Sequence, residues 1–121
     1  MTLPLNKEVL AAAYDYLAST EPFAQWNMPH SEDVVFKVSH SREKAYGWYI
    51  AGRGEGEPPH EIAVSSKYIG RTQSLMEVMA HEMIHLHQKQ TAMHTSTVHN
   101  AAFKAIAAKV CALHGFDPLT F

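Results

Sequence analysis

The chain has 121 residues, 46% of them apolar and 18% charged, with a net charge of −2; this balance excludes intrinsic disorder and suits one self-contained domain over residues 1–121. The basic residues are scattered, so charge gives no reason to propose a nucleic-acid surface, and no run of about 18 apolar residues suggests a membrane span. The single cysteine, Cys111, cannot form an internal disulfide, and no basic segment followed by an apolar run opens the sequence, so a reducing, cytoplasmic setting is expected.

Asn6 is placed to cap a first helix, in which Leu10, Ala13, Tyr14 and Leu17 recur at helical spacing and which stops near Ser19-Thr20-Glu21-Pro22. Phe23 to Ser31, preceded by Pro22 and holding Pro29, reads as a loop. Three strand-like runs follow: Val34–Val38, Tyr46–Ile50 and Glu61–Ser65. The short connections Ser39 to Lys44 and Gly52 to Pro59 predict a three-stranded antiparallel meander. Ser74-Leu75-Met76-Glu77 reads as a capping box that opens a helix to about Gln90. A last helix, from about Val98 to His114, places Phe103, Ile106, Val110 and Leu113 on one face, with Gly115 at its end and Pro118 beyond. The order α, three β, α, α defines an α+β domain.

Chemistry concentrates in the second half, where six of the nine histidines lie between His81 and His114. In His81-Glu82-Met83-Ile84-His85 the two histidines differ by about 40° around the helix and about 6 Å along it, so both can reach one ion. Glu82 beside them can take a proton from water activated by the metal and deliver it to the leaving amine. A catalytic Zn2+ needs a third ligand. The metzincin positions hold Gln88 and Thr91, and the only acidic residue after Glu82 is Asp117, which leaves His87, His94, His99 and His114. His87 lies about 200° around the helix from His85 and points away, while His114 is about 22 Å along the last helix from His99. His94 falls in the connecting loop and His99 in the first turn of the last helix.

His81-Glu82-Met83-Ile84-His85, followed fourteen residues after His85 by His99-Asn100-Ala101-Ala102-Phe103-Lys104, resembles the SprT-like zinc metallopeptidases, whose core pairs HExxH with His-Gly-x-x-Phe on the next helix. The tail Leu113-His114-Gly115-Phe116-Asp117-Pro118 and the strand Glu61–Ser65 before the metal helix are similar to that core as well. The resemblance implies a zincin-like fold, one catalytic zinc, His99 as third ligand, and proteolysis of a protein substrate. Well-known relatives cleave proteins crosslinked to DNA, so nucleic acid enters as a partner only through the resemblance. Asn100 stands where the family has glycine. The cysteine-rich zinc ribbon of longer members has no counterpart here, so the likeness is to the core domain, as in free-standing phage or bacterial versions.

Helix geometry also favours His99 over His94: it lies four residues before Phe103, on the side where the metal helix must pack. The expected activity is therefore that of a zinc endopeptidase with His81, His85 and His99 as ligands and Glu82 as base. The rival readings are a regulatory peptidase acting on a repressor or partner, and a non-catalytic zinc-stabilised binding module, which would not need Glu82. Glu61–Ser65 is expected to be a sheet edge that binds substrate by strand addition. Gly52-Arg53-Gly54-Glu55-Gly56 lacks the features of a phosphate loop and reads as a hairpin loop. Tyr46, Trp48 and Tyr49 are expected in the core, Cys111 as a buried small hydrophobe, and His30, His40 and His60 in surface loops.

Overall fold

The first element of the computed structural model, which describes residues 5–40, 46–52, 54, 56, 58–66, 72–93 and 97–121, is helix α1, Lys7–Ala18. Asn6 caps it: its side chain accepts a hydrogen bond from the Val9 amide at 2.9 Å, satisfying one of the orphan donors of the first turn. Leu10, Ala13, Tyr14 and Leu17 form its buried face, as their spacing predicts. The segment that follows contains two 3₁₀ turns, Phe23–Gln25 and Ser31–Asp33. Tyr14 fastens it to the helix by donating its hydroxyl to the Pro29 carbonyl at 2.7 Å.

Strands β1 (Val34–Ser39), β2 (Gly47–Ala51) and β3 (His60–Ser65) form a mixed sheet in the order β1-β3-β2, with β1 parallel and β2 antiparallel to β3. The expected antiparallel meander is therefore corrected. The reason lies in burial. Ile62, Ala63, Val64 and Ser65 of β3 are all buried, whereas β1 and β2 are mostly half-buried. A strand covered on both faces and both edges belongs in the middle. The short connection after β1 still reverses the chain, but it steps across the gap that β3 later fills, roughly 10 Å at the usual strand spacing. Flanked on both sides, β3 has no edge to offer a substrate, and the edges fall to β1 and β2. His60 is also not a loop residue: it opens β3, and its Nδ1 lies 2.6 Å from the Tyr49 hydroxyl.

Helix α2, Thr72–Gln90, starts two residues before Ser74, so the Ser74–Glu77 box lies inside the helix instead of capping it. α2 packs against α1, β2, β3 and the last helix. Accordingly Leu75, Met79, Ala80, Met83, Ile84 and Leu86 are all buried. Helix α3 spans Ala101–His114, with Asn100 as its N-cap and Gly115, at φ 75°, closing it through a bond to the Cys111 carbonyl. Its buried residues are Phe103, Val110 and Cys111, while Leu113 is 54% exposed. The buried stripe is centred between Phe103 and Cys111, and Leu113 falls off its edge. Among the described residues no helix is long and apolar enough to cross a membrane.

Helix and sheet approach closely at Gly47. A Cβ there would stand 2.7 Å from the Ala63 carbonyl oxygen, 2.7 Å from Val78 Cγ1 and 3.7 Å from Glu82 Oε2. Residue 47 therefore sets how near α2 can lie to β2. Replacing Gly47 by alanine is expected to lower stability by about 1–3 kcal/mol, the usual cost of overpacking. Urea denaturation of the metal-stripped protein measures this, and an unchanged midpoint would show that the helix can retreat at no cost.

Candidate metal centre

Helix α2 presents His81 and His85 one turn apart, with ring centroids separated by 5.0 Å. The third imidazole comes from outside any helix. Because Asn100 is the cap of α3, His99 belongs to the turn before it and not, as expected, to the first helical turn. Its ring nevertheless closes a triangle, 5.0 Å from His81 and 5.1 Å from His85. One ring nitrogen of each lies within 4.8 Å of the others, and the Nε2 atoms of His81 and His99 are 3.1 Å apart. Phe103 supports all three rings, with centroids 4.9, 4.6 and 4.7 Å from those of His81, His85 and His99. On its outer side, His81 meets the ring of Phe121 at 5.4 Å.

Burial, and then the neighbouring His85 and His99, push His81 down to about 4, against a hydrogen bond to the Phe121 backbone that pulls the other way. Burial and His99 push His85 down to about 4. At neutral pH these two rings are uncharged, each with a lone pair to donate. Glu82 is only 6% exposed, and burial pushes its carboxyl up to about 8. A carboxyl tuned to the neutral range suits proton transfer, and a cation nearby would favour its ionised form.

The donor set fits a borderline-soft divalent ion. Tetrahedral zinc bound to nitrogens at about 2.0–2.1 Å separates them by roughly 3.3–3.4 Å, close to the His81–His99 gap. Three imidazoles leave a fourth position open, which distinguishes catalytic from closed structural sites. These three histidines can hold a metal ion. The three histidines border a cleft of about 460 Å³, also lined by Gly47, Trp48 and Tyr49 of β2, by Glu82, and by Val98 next to His99.

The structure thus brings His81, Glu82, His85 and His99 together. His94 lies outside the described residues. His87 is turned away as expected, stacked on Trp26 with centroids 3.9 Å apart. His114 sits at the far end of α3, with its Nε2 3.1 Å from Thr20 Oγ1 and 2.9 Å from the Glu21 carbonyl. Phe103 appears in the sequence as a core position, and only the fold reveals it as the common floor of the triad. Gln88 drew notice only as a failed metzincin position, yet it is buried and bonded to Asn100 at 3.1 Å.

Residues 13–120 match the model of the SprT-like family, and the chain belongs to that family. No curated protein and no solved structure matches it.

The metal-stripped protein should be most stable near pH 6.5. Between pH 4 and 6.5 the unfolded chain protonates histidines that the folded chain keeps neutral, so the unfolded state binds more protons and stability rises with pH. Glu82 acts in the opposite sense. Raised from 4.5 to about 8, it stays protonated when folded and ionises when unfolded, so stability falls as pH climbs through that window. Below pH 6.5 the two histidines outweigh it. Above, Glu82 dominates at no more than about 1.4 kcal/mol per pH unit, and toward pH 9 the Cys111 thiol, which burial also raises, adds to the fall. Urea midpoints measured from pH 4 to 9 should show the maximum, and Glu82→Gln should flatten the falling arm. A falling arm that persists in this variant would locate the titration elsewhere.

Proposed function

We propose that the chain is a zinc-dependent endopeptidase that hydrolyses peptide bonds of an extended protein segment. The observation that carries this reading is the buried carboxyl of Glu82, placed beside three converging imidazoles at the wall of an open cleft. A metal that only stabilised the fold would need the histidines and not the carboxyl, whose burial raises the free energy of its charged form. When bound by His81, His85 and His99, zinc supplies Lewis acidity, polarising a carbonyl and making water acidic near neutral pH. The remaining work falls to the chain itself. Glu82 accepts the proton as water attacks the scissile carbonyl carbon, then returns it to the amine nitrogen as the C–N bond breaks. Its neighbourhood of apolar α2 residues and the β2 backbone keeps bulk water from competing for that proton.

Strand β2 provides the place for the substrate. It is the sheet edge beside the cleft, so its outer backbone groups can pair with an extended peptide and hold it alongside Glu82. Such pairing reads backbone more than side chain, which suits modest sequence preference.

Purified protein should carry about one zinc per chain, as three histidine ligands imply; elemental analysis that finds none after zinc re-addition would remove the peptidase reading. Glu82→Gln should keep the metal but lose hydrolysis of a fluorogenic peptide library on the order of 10²- to 10⁴-fold, the usual contribution of a general base. Loss of zinc in that variant would make Glu82 a ligand, and unchanged hydrolysis would assign the base elsewhere.

A further inference from the structure

One carboxamide joins three pieces of chain immediately behind the third imidazole. Asn100 Oδ1 accepts from the Phe103 amide at 2.9 Å, capping α3. The same oxygen accepts from Gln88 Nε2 at 3.1 Å. Asn100 Nδ2 donates to the Met93 carbonyl at 3.1 Å. The orientation of the amide is fixed by its partners: a backbone N–H only donates and a carbonyl only accepts, so the flipped amide would oppose like groups on both sides. Gln88 is 1% exposed and sits three residues after His85 on α2. The three bonds therefore tie α2, the start of the α2–α3 connection and the first turn of α3 to one side chain, and His99 is its immediate neighbour.

Capping alone does not account for this arrangement. A serine or aspartate would cap α3 equally well, with no need for a buried glutamine on another helix. Burying the Gln88 carboxamide costs free energy unless it is bonded, and it bonds to the residue next to the ligand. His99 itself is exposed and outside the helix, so helix packing does not hold it in place.

We infer that Asn100 and Gln88 are positioning residues that fix His99 against His81 and His85, and so set the affinity and geometry of metal binding. The inference rests on the reading that these three imidazoles hold a metal. Groups that orient a ligand from behind typically alter metal affinity on the order of 10- to 100-fold, and here the orientation is passed through the backbone of residues 99 and 100.

The test uses the full chain, stripped of metal, with Zn2+ affinity read by competition with a chromogenic chelator and Co2+ coordination read from visible absorption. Two variants separate clamping from capping. Gln88→Leu leaves the α3 cap intact and removes the bond from α2. Asn100→Asp keeps the cap and the acceptor for Gln88 but replaces the donor to Met93 with a charged oxygen. Both should bind Zn2+ on the order of 10-fold or more weakly and change the Co2+ spectrum, while circular dichroism of the metal-free forms stays that of the parent. If both bind both ions as the parent does, with the same spectrum, the clamp is only a cap and the inference is overturned. Should Gln88→Leu fail to fold, Asn100→Asp decides alone; should that fail as well, Asn100→Ser, which also caps, decides in its place. A parent protein that binds neither ion overturns the metal reading itself, an outcome distinct from variants that match a binding-competent parent.

Discussion

Helix α2 lies as close to β2 as it does because residue 47 has no side chain. With a Cβ excluded by the Ala63 carbonyl on one side and Val78 on the other, backbone meets helix directly, and water has no room between them. Glu82 stands at this contact. Its burial, and with it the shift of its carboxyl toward neutrality, follows from that close approach. α2 also meets α1, β3 and α3, so the helix is enclosed on several sides and reads as apolar on more than one face. Within such a helix, polar residues persist only where they have a partner or a task.

The histidine triad is assembled from unequal parts. His81 and His85 are held by the helix that carries them, whose rise and twist alone put both rings on one side. His99 has no such support. It is brought into place by the cap of α3, by the bond from Gln88, and by the ring of Phe103 beneath. The proposed chemistry divides along the same line: the α2 residues supply two donors and the proton carrier, while the α3 side would supply the third donor at the border of the cleft. Reaction and substrate would meet along β2, the one strand that both borders the cleft and ends the sheet on that side.

Much of this could be read from residue order, and the part that could not has a common cause. The spacing of Leu10, Ala13, Tyr14 and Leu17 identifies the face of α1 because helical period is local. The His81–His85 pair is legible for the same reason, and with His99 and Phe103 it carries the family resemblance that the family match supports. Sheet order was not legible. Alternation tells which side of a strand is buried but not which strand lies beside it, and the short loop after β1 suggested a neighbour where the later, more deeply buried β3 intervenes. Helix starts shifted for a related reason. Ser74 fits a cap by type, yet the chain is already helical two residues earlier, and Asn100, read as a departure from glycine, is the residue that stops α3 three positions short of Val98. The Gln88–Asn100 bond spans twelve residues with no periodic signal, so only the fold could reveal it.

Phe103 touches the rings of all three histidines, and this makes the triad a thermodynamically coupled unit. Each imidazole rests on a surface that the other two also press, so displacing one frees the aromatic ring to move and alters the footing of its companions. Energies of substitution at the three positions should then not sum, since neighbours that share a packing partner interact. Much of the rotational freedom that three separate side chains would lose on capturing an ion is already given up when the chain folds. The cost of ordering is met in the core, and a cation bound there would find its cage already built.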